Sequence, residues 1–152
     1  MRTSLPSRCV YDASFLIKYV VPEDGSTLIR KLVREALADT LSVMCVPELF
    51  LIESANILWK KVQRREVDTQ TSLTKLEQLS ALELATTPLK QLDKRALELA
   101  CQLNISAYDA SYVALAEKLQ VPLITADISL ARKLVGTEHR AITLAEFLPP
   151  SQ

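Results

Sequence analysis

Glycine and histidine are scarce in this sequence, and neither sign of charge is in surplus. Only 2 of the 152 residues are glycine, so no glycine-rich loop can form around a phosphate. The dinucleotide-binding fingerprint and the P-loop are therefore both excluded. The 18 basic and 18 acidic residues balance, so the chain lacks the basic excess typical of nucleic-acid-binding proteins. A nucleic-acid enzyme that uses a local patch or a metal ion is still compatible with this composition.

Cysteine pairs and long apolar runs are also missing. Cys9, Cys45 and Cys101 are far apart, form no C-x-x-C motif and have apolar neighbours, so we expect them to be reduced and buried. No apolar run reaches the roughly 18 residues that cross a bilayer. The first residues, MRTSLPSR, contain no hydrophobic segment of the kind found in signal peptides. These features predict a cytoplasmic protein without a membrane partner.

Short β-branched runs alternate with helical patterns along the chain, which predicts an α/β fold. The expected architecture is a three-layer sandwich with a mainly parallel central sheet of about five strands, flanked by helices. A chain of this length forms one domain, 1–152, with its core at about 9–147. The second to fourth predicted helices form an added helical layer. The predicted strands are 9–11, 41–46, 83–87, 121–125 and 141–143, and the predicted helices are 13–19, 26–37, 47–63, 69–82, 89–103, 106–119, 128–135 and 144–147.

Two of these helices have unusual surfaces. The helix at 47–63, with Pro47 in its first position, is an apolar rod that carries one narrow polar stripe. Such a stripe faces a polar interior or a groove. The helix after Ser106 begins with a capping-box pattern formed with Asp109 and is apolar on nearly every side, Tyr108 included, which is typical of a buried helix. The polar stripe of the helix at 47–63 consists of Glu53, Asn56, Lys60 and Gln63.

Four acidic residues are candidates for a shared site. Asp12 and Asp127 each follow a predicted strand, and a parallel sheet brings such positions to one edge. Glu53 and Asp109 lie on helices apolar enough that their carboxylates need a polar partner. A simpler interpretation stays open for each residue. The three aspartates lie at helix starts and can act as caps, and Glu53 can be a solvated helix-face residue.

A meeting of four carboxylates has a physical consequence. At separations of about 5 Å, each pair repels by roughly 3 kcal/mol at an effective dielectric constant near 20. Either proton uptake or a bound divalent cation relieves this repulsion. Oxygen ligands without histidine or cysteine favour Mg²⁺ or Mn²⁺ over zinc. The single histidine, His139, is expected to be solvated in a loop rather than to bind a metal.

Four sequence blocks surround these acids: VYDAS at 10–14, ESAN at 53–56, SAYDASY at 106–112 and TADISL at 125–130. With these blocks the sequence resembles the PIN domains and, more narrowly, the VapC-type toxins of prokaryotic toxin–antitoxin pairs. The resemblance runs from about Cys9 to Phe147 and implies a PIN fold and a metal-dependent ribonuclease. It also implies an antitoxin partner and frequent homodimers. The Met1–Ser7 extension is a departure, because many relatives begin near the first strand.

The resemblance assigns roles by position. Asp12 and Asp109 become the principal ligands of one or two Mg²⁺ or Mn²⁺ ions, and Asp127 becomes a ligand directly or through water. Glu53 binds a second ion or positions the attacking water. Ser14, Asn56 and Thr125 orient these groups as helper residues. The candidates for RNA phosphate contacts, each of which can also be merely solvated, are Lys18, Lys60, Lys61, Arg64 and Arg65.

Other classes of protein explain the acids less well. A receiver domain needs paired acids after its first strand, and Asp12 has no acidic neighbour. A haloacid-dehalogenase-type phosphotransferase needs a second aspartate two residues later, where this chain has Ser14. The serious alternative is a non-catalytic PIN-like module that binds a metal, RNA or a partner without cutting. The presence of all four acids argues against it.

Overall fold

Five short strands form one sheet in the computed structural model, which describes residues 1–149. The last three residues of the predicted domain, 150–152, lie outside this range. The strands are β1 (Arg8–Tyr11), β2 (Val43–Pro47), β3 (Ala85–Thr87), β4 (Leu123–Ile124) and β5 (Ala141–Ile142).

The helices follow the predicted alternation. They are α1 (Ala13–Val20), α2 (Ser26–Ala38), α3 (Phe50–Gln63), α4 (Thr69–Ser80), α5 (Asp93–Leu103), α6 (Ala107–Leu119) and α7 (Ile128–Leu134). Two 3₁₀ turns, Leu89–Gln91 and Leu144–Phe147, replace stretches that were predicted as helix.

The sheet has the order β3-β2-β1-β4-β5, and all four pairings are parallel. The consecutive residues Cys9, Val10 and Tyr11 of β1 are all buried, so both faces of the sheet are covered, as expected for a parallel sheet. This confirms the predicted fold class. The chain builds outwards from β1 to β3 and then resumes at β4 on the other side of β1. In open α/β sheets, sites form beyond the strand ends at such a reversal.

The helices form two groups around this sheet. Helix α1 packs against α2, α3 and α4, while α5 packs against α6, which in turn contacts β1 and β2. The predicted added layer of helices, α2 to α4, therefore packs against α1. Because α1 begins directly after Asp12, the packing of α3 on α1 brings the middle of the sequence to the end of β1.

The prediction that Pro47 opens a helix is wrong. Pro47 is the last residue of β2 and pairs with Thr87, and the Glu48 amide donates to the Thr87 carbonyl at 2.9 Å. Because proline has no amide hydrogen, Pro47 itself donates no hydrogen bond to a neighbouring strand. The helix then begins at Phe50.

The prediction that all three cysteines are buried is wrong for Cys101. All three thiols are free, but only Cys9 and Cys45 are buried. Helix α5 buries Ala96 and Leu99, and Cys101 lies two residues beyond Leu99, on nearly the opposite side of the helix.

Within residues 1–149, no helix is both long and apolar enough to cross a membrane.

Burial of the two apolar helices is also only partly as predicted. Helix α6 is buried from Ala110 to Ala116, but Tyr108 in its first turn is 69% exposed. On α3, Ile52 and Trp59 are 72% and 56% exposed. Because α3 lies at the surface of the protein, the core covers only part of its apolar side chains. We call Ile52, Trp59 and Tyr108 the apolar strip.

Ser106 fixes the start of α6, the helix that carries Asp109. Its hydroxyl accepts a hydrogen bond from the Asp109 amide at 3.1 Å, as the capping pattern predicted. Replacing Ser106 by alanine should lower the free energy of unfolding by about 1 kcal/mol, because this cap is lost. Urea denaturation measures the change. The control is Ser80→Ala at the end of α4, and equal stabilities of the two variants would contradict the role of the cap.

Candidate active site

Asp12 is held at the carboxyl end of β1 by two hydroxyl groups. Thr125 Oγ1 donates to Asp12 Oδ2 at 2.7 Å, and Ser14 Oγ donates to the same oxygen at 2.6 Å. Asp12 occupies the N-cap position of α1, yet its side chain makes no capping hydrogen bond. The capping interpretation therefore does not account for this residue. Its carboxylate is oriented across the gap between β1 and β4 instead.

Thr125 and Asp127 connect the end of β4 to the same network. The Asp127 amide donates to Thr125 Oγ1 at 3.0 Å, and the Ala126 amide donates to Ser14 Oγ at 3.1 Å. Asp127 also caps α7, because its Oδ1 accepts from the Leu130 amide at 3.0 Å. For Asp127 the capping interpretation is correct, and the residue nevertheless lies in the acidic group.

Glu53 and Asp109 complete the group from α3 and α6. Glu53 Oε2 is buried and has no hydrogen-bond partner among the described residues. Glu53 is therefore not an ordinary solvated glutamate. The negative charges of Asp12 and Asp109 both act on Glu53, and those of Asp12 and Asp127 act on Asp109. The structure thus places the four predicted acids close enough for their charges to act on one another, and within residues 1–149 no three of them offer ligand atoms within 4.8 Å of one another.

Burial and mutual repulsion raise the pKa values of three of these acids. Burial is the main cause for Asp12, and the Asp127 charge adds to it against the Ser14 and Thr125 hydrogen bonds, so the pKa of Asp12 is raised. Burial and then the charges of Asp12 and Asp109 raise the pKa of Glu53 to about 8, while Lys60 opposes the shift. The pKa of Asp109 is raised by burial first and by Asp12 next.

The donor set fits a divalent cation. None of the four carboxylates forms an ion pair within residues 1–149, and one buried oxygen, Glu53 Oε2, lacks any partner. Buried carboxylates are normally paired or coordinate a metal. Carboxylate oxygens without nitrogen or sulfur ligands suit a hard cation. These residues are therefore able to hold such an ion.

A second group of metal-ligand atoms lies elsewhere and is less suited to that role. Glu117, Glu138 and His139 offer ligand atoms within 4.8 Å of one another, and they lie at the amino ends of β4 and β5. Both Glu117 oxygens accept hydrogen bonds from Arg95 at 2.7 Å. His139, expected to be solvated, is half-buried, but the carboxylate beside it is already neutralised by this arginine.

The candidate cations for RNA phosphate contacts differ in whether an acidic side chain already pairs with them. Lys61 pairs with Glu23 and, at 3.5 Å, with Glu66, and its side chain is 12% exposed. Lys18 pairs with the same Glu23 at 3.1 Å. In the described part of the chain, Lys60, Arg64 and Arg65 are exposed and form no ion pair. They are the cations of this segment best placed to meet an external anion.

A groove of about 710 Å³ opens beside the acids. Glu53, Asn56 and Lys60 from the predicted polar stripe line it together with Asp109, and the apolar strip lines it as well. The stripe therefore faces a groove, as one of the two sequence interpretations predicted. The site combines an acidic centre, a lysine and an exposed apolar wall.

Tyr112 is a residue of the site that the sequence analysis did not single out. Its hydroxyl is buried without a partner among the described residues, and the charges of Glu53, Asp12 and Asp109 all act on it. A tyrosine one turn after Asp109 in a buried helix was the available signal, but it is indistinguishable by pattern from a core residue.

Comparison with known proteins identifies the family to which the chain belongs. A family model of the PIN domain matches residues 9–134. The chain therefore belongs to the PIN domain family, as the four acidic blocks suggested. Among its relatives is Ribonuclease VapC3 of Pyrobaculum aerophilum, 35% identical over 130 residues that cover 83% of this chain and 94% of the relative.

Two solved structures share the fold. PAE2754 from Pyrobaculum aerophilum has a TM-score of 0.65 at 23% identity, covering 92% of this chain and 85% of that one. A chain of a toxin–antitoxin complex from Klebsiella pneumoniae has a TM-score of 0.55 at 16% identity, covering 89% and 96%. These likenesses bear on the fold.

The raised pKa values predict how stability depends on pH. The folded protein binds a proton at Glu53 more tightly than the unfolded chain, so stability falls as pH rises from 4.5 towards about 8. We expect the melting temperature in EDTA to decrease between pH 5 and pH 8. The decrease should be smaller in Glu53→Gln, which has no carboxyl group to titrate. A melting temperature that stays level or rises over this range would contradict the expectation.

Proposed function

We propose that this chain is a metal-dependent endoribonuclease and the toxin of a VapBC-type toxin–antitoxin pair. The observation that carries the proposal is the proximity of four carboxylates at the reversal point of the sheet, where their charges act on one another and none is paired with a cation within residues 1–149. The relative Ribonuclease VapC3 supports RNA as the substrate class. A non-catalytic PIN-like module that binds a metal, RNA or a partner is the alternative, and the presence of all four acids argues against it.

The proposed cofactor is one or two Mg²⁺ or Mn²⁺ ions, because every candidate ligand is an oxygen. When bound, such an ion supplies positive charge to the phosphoryl group and to the leaving oxygen and activates a water molecule. Asp12 and Asp109 serve as principal ligands, and Asp127 as a ligand directly or through water. Glu53 holds a second ion or orients the attacking water.

Ser14, Thr125 and Asn56 serve as supporting residues. The hydroxyls of Ser14 and Thr125 both donate to Asp12 Oδ2, so they fix the rotation of the carboxylate and favour its ionised form. Outer hydrogen bonds of this kind orient metal ligands. Asn56 lines the groove beside Glu53, where its amide can bind a water or a phosphate oxygen.

The RNA backbone is proposed to follow the end of α3. Lys60 lines the groove beside Glu53, and Arg64 and Arg65 follow it. Lys61 remains a candidate from the same cluster, but its ion pair with Glu23 makes it the least available of the four. Three exposed cations on one segment supply a local phosphate contact that the balanced net charge of the chain does not provide.

The proposed partners are an antitoxin and a second copy of the chain. The fold relationship to a chain from a toxin–antitoxin complex supports the antitoxin, and the exposed apolar strip beside the acids provides a surface for protein contact. Homodimer formation is proposed from the family resemblance. Because the proposed substrate is RNA, we place the protein in the cytoplasm.

Replacement of Asp12 tests the enzymatic proposal. Asp12→Asn should reduce Mn²⁺-dependent RNA cleavage on the order of 10²-fold or more, since it removes a metal ligand and not merely an outer contact. The fold should be retained, because the change removes a buried charge. Cleavage of a labelled RNA is measured with Mn²⁺ and with EDTA, and circular dichroism reports the fold. Asp24→Asn on the exposed turn is the control. Full activity of Asp12→Asn would reject the assignment.

Replacement of the cations at the end of α3 tests the RNA path. In an Asp12→Asn background, changing Lys60, Arg64 and Arg65 to glutamine should weaken RNA binding. The slope of log K against log salt should fall by about 2, as expected for three lost contacts to single-stranded phosphates. Fluorescence anisotropy at several salt concentrations gives the slope. A matched triple change of the exposed Lys90, Lys94 and Lys118 to glutamine is the control, and equal slopes for the two triple variants would exclude this path.

A further inference from the structure

Two buried polar atoms of the acidic site have no hydrogen-bond partner among the described residues. They are Glu53 Oε2 on α3 and the Tyr112 hydroxyl on α6. Tyr112 is completely buried, and polar atoms at such depth are normally bonded to protein or to ordered water. Two unpaired atoms in the same site therefore require a common explanation.

The two side chains are neighbours. Burial and the charges of Glu53, Asp12 and Asp109 raise the pKa of Tyr112, while the Ala13 backbone opposes the shift. Tyr112 follows Asp109 by three residues on α6, so both side chains project from the same face of the helix. The tyrosine ring thus extends from the helix that carries one acid towards the helix that carries another.

The chemistry of the two groups is complementary. A phenol hydroxyl donates one hydrogen bond, and a carboxylate that a bound cation keeps ionised only accepts. Asp12 already receives two hydroxyl donors, and Asp127 receives a backbone amide. Glu53 Oε2 is the oxygen of the group that is buried without a donor, and Tyr112 is the buried donor without an acceptor.

We propose that Tyr112 is a positioning residue for Glu53, which its hydroxyl holds through one trapped water molecule that accepts from the phenol and donates to the carboxylate. This water bridge turns the Glu53 carboxylate towards the cation and so acts on the metal through Glu53. This inference rests on the proposed metal-dependent function and assigns a donor to the one acid that lacks it.

The test compares two buried tyrosines in the full-length chain. Tyr112→Phe removes the hydroxyl and keeps the ring. Tyr11→Phe is the matched control, because Tyr11 is equally buried and its hydroxyl has Cys9 and Cys45, not the acids, as neighbours. Mn²⁺ binding is measured by electron paramagnetic resonance without RNA. We expect the dissociation constant to rise about 10-fold in Tyr112→Phe and less than about 2-fold in Tyr11→Phe.

Two further readouts separate positioning from a general packing defect. In a Glu53→Gln background, adding Tyr112→Phe should not weaken Mn²⁺ binding further, because the pair acts as one unit. The near-ultraviolet difference spectrum on addition of Mn²⁺ should contain a tyrosine signal that Tyr11→Phe keeps and Tyr112→Phe loses. Circular dichroism establishes that each variant is folded.

The outcomes distinguish this inference from the function on which it rests. The role of Tyr112 is overturned, even if RNA is cleaved, by either of two results. One is an unchanged Mn²⁺ dissociation constant in Tyr112→Phe. The other is a Tyr112→Phe change that weakens Mn²⁺ binding as much in the Glu53→Gln background as in the wild-type chain. If Tyr112→Phe weakens Mn²⁺ binding only when the Glu53 carboxylate is present, and the protein cleaves no RNA, the role of Tyr112 is supported and the ribonuclease proposal is rejected. A wild-type chain that does not bind Mn²⁺ overturns both.

Discussion

Repulsion among buried carboxylates is the interaction on which the rest of this structure depends. Burial, and then repulsion between the charges, raises the pKa values of Asp12, Glu53 and Asp109, because the fold holds these acids where their ionised forms are poorly solvated. Such an arrangement opposes folding unless protons or a cation neutralise it. The surrounding apolar core must supply enough stability to hold this site together. A divalent cation bound among these carboxylates would relieve this instability.

The hydroxyl network at the gap between β1 and β4 makes this arrangement specific. Thr125 donates to Asp12 and accepts from the Asp127 amide, so one side chain sets the positions of two acids. Ser14 links Asp12 to the Ala126 amide in the same way. These bonds cross from one strand end to the next, and they exist only because β1 and β4 are adjacent. The order of the strands in the sheet therefore sets the geometry of the site.

The surface around the site reflects the balanced charge of the whole chain. Most cations near the groove are either paired, as Lys61 is with Glu23, or confined to the short segment at the end of α3. An RNA that reaches the acids would meet a few local cations and an apolar wall, and not a broad basic face. The apolar strip of Ile52, Trp59 and Tyr108 also explains why the pattern of α3 suggested more burial than the structure shows.

The sequence alone determined the alternation of strands and helices, the residue types of the four acids and the capping of α6 by Ser106. These features depend on local periodicity and on hydrogen bonds between near neighbours, which a linear pattern contains. Only the tertiary structure decided that Pro47 ends a strand, that Cys101 is exposed and that Lys61 is paired. It also decided that the Tyr112 hydroxyl and Glu53 lie together without partners. Each of these depends on which distant segment packs alongside, and no spacing along the chain contains that information.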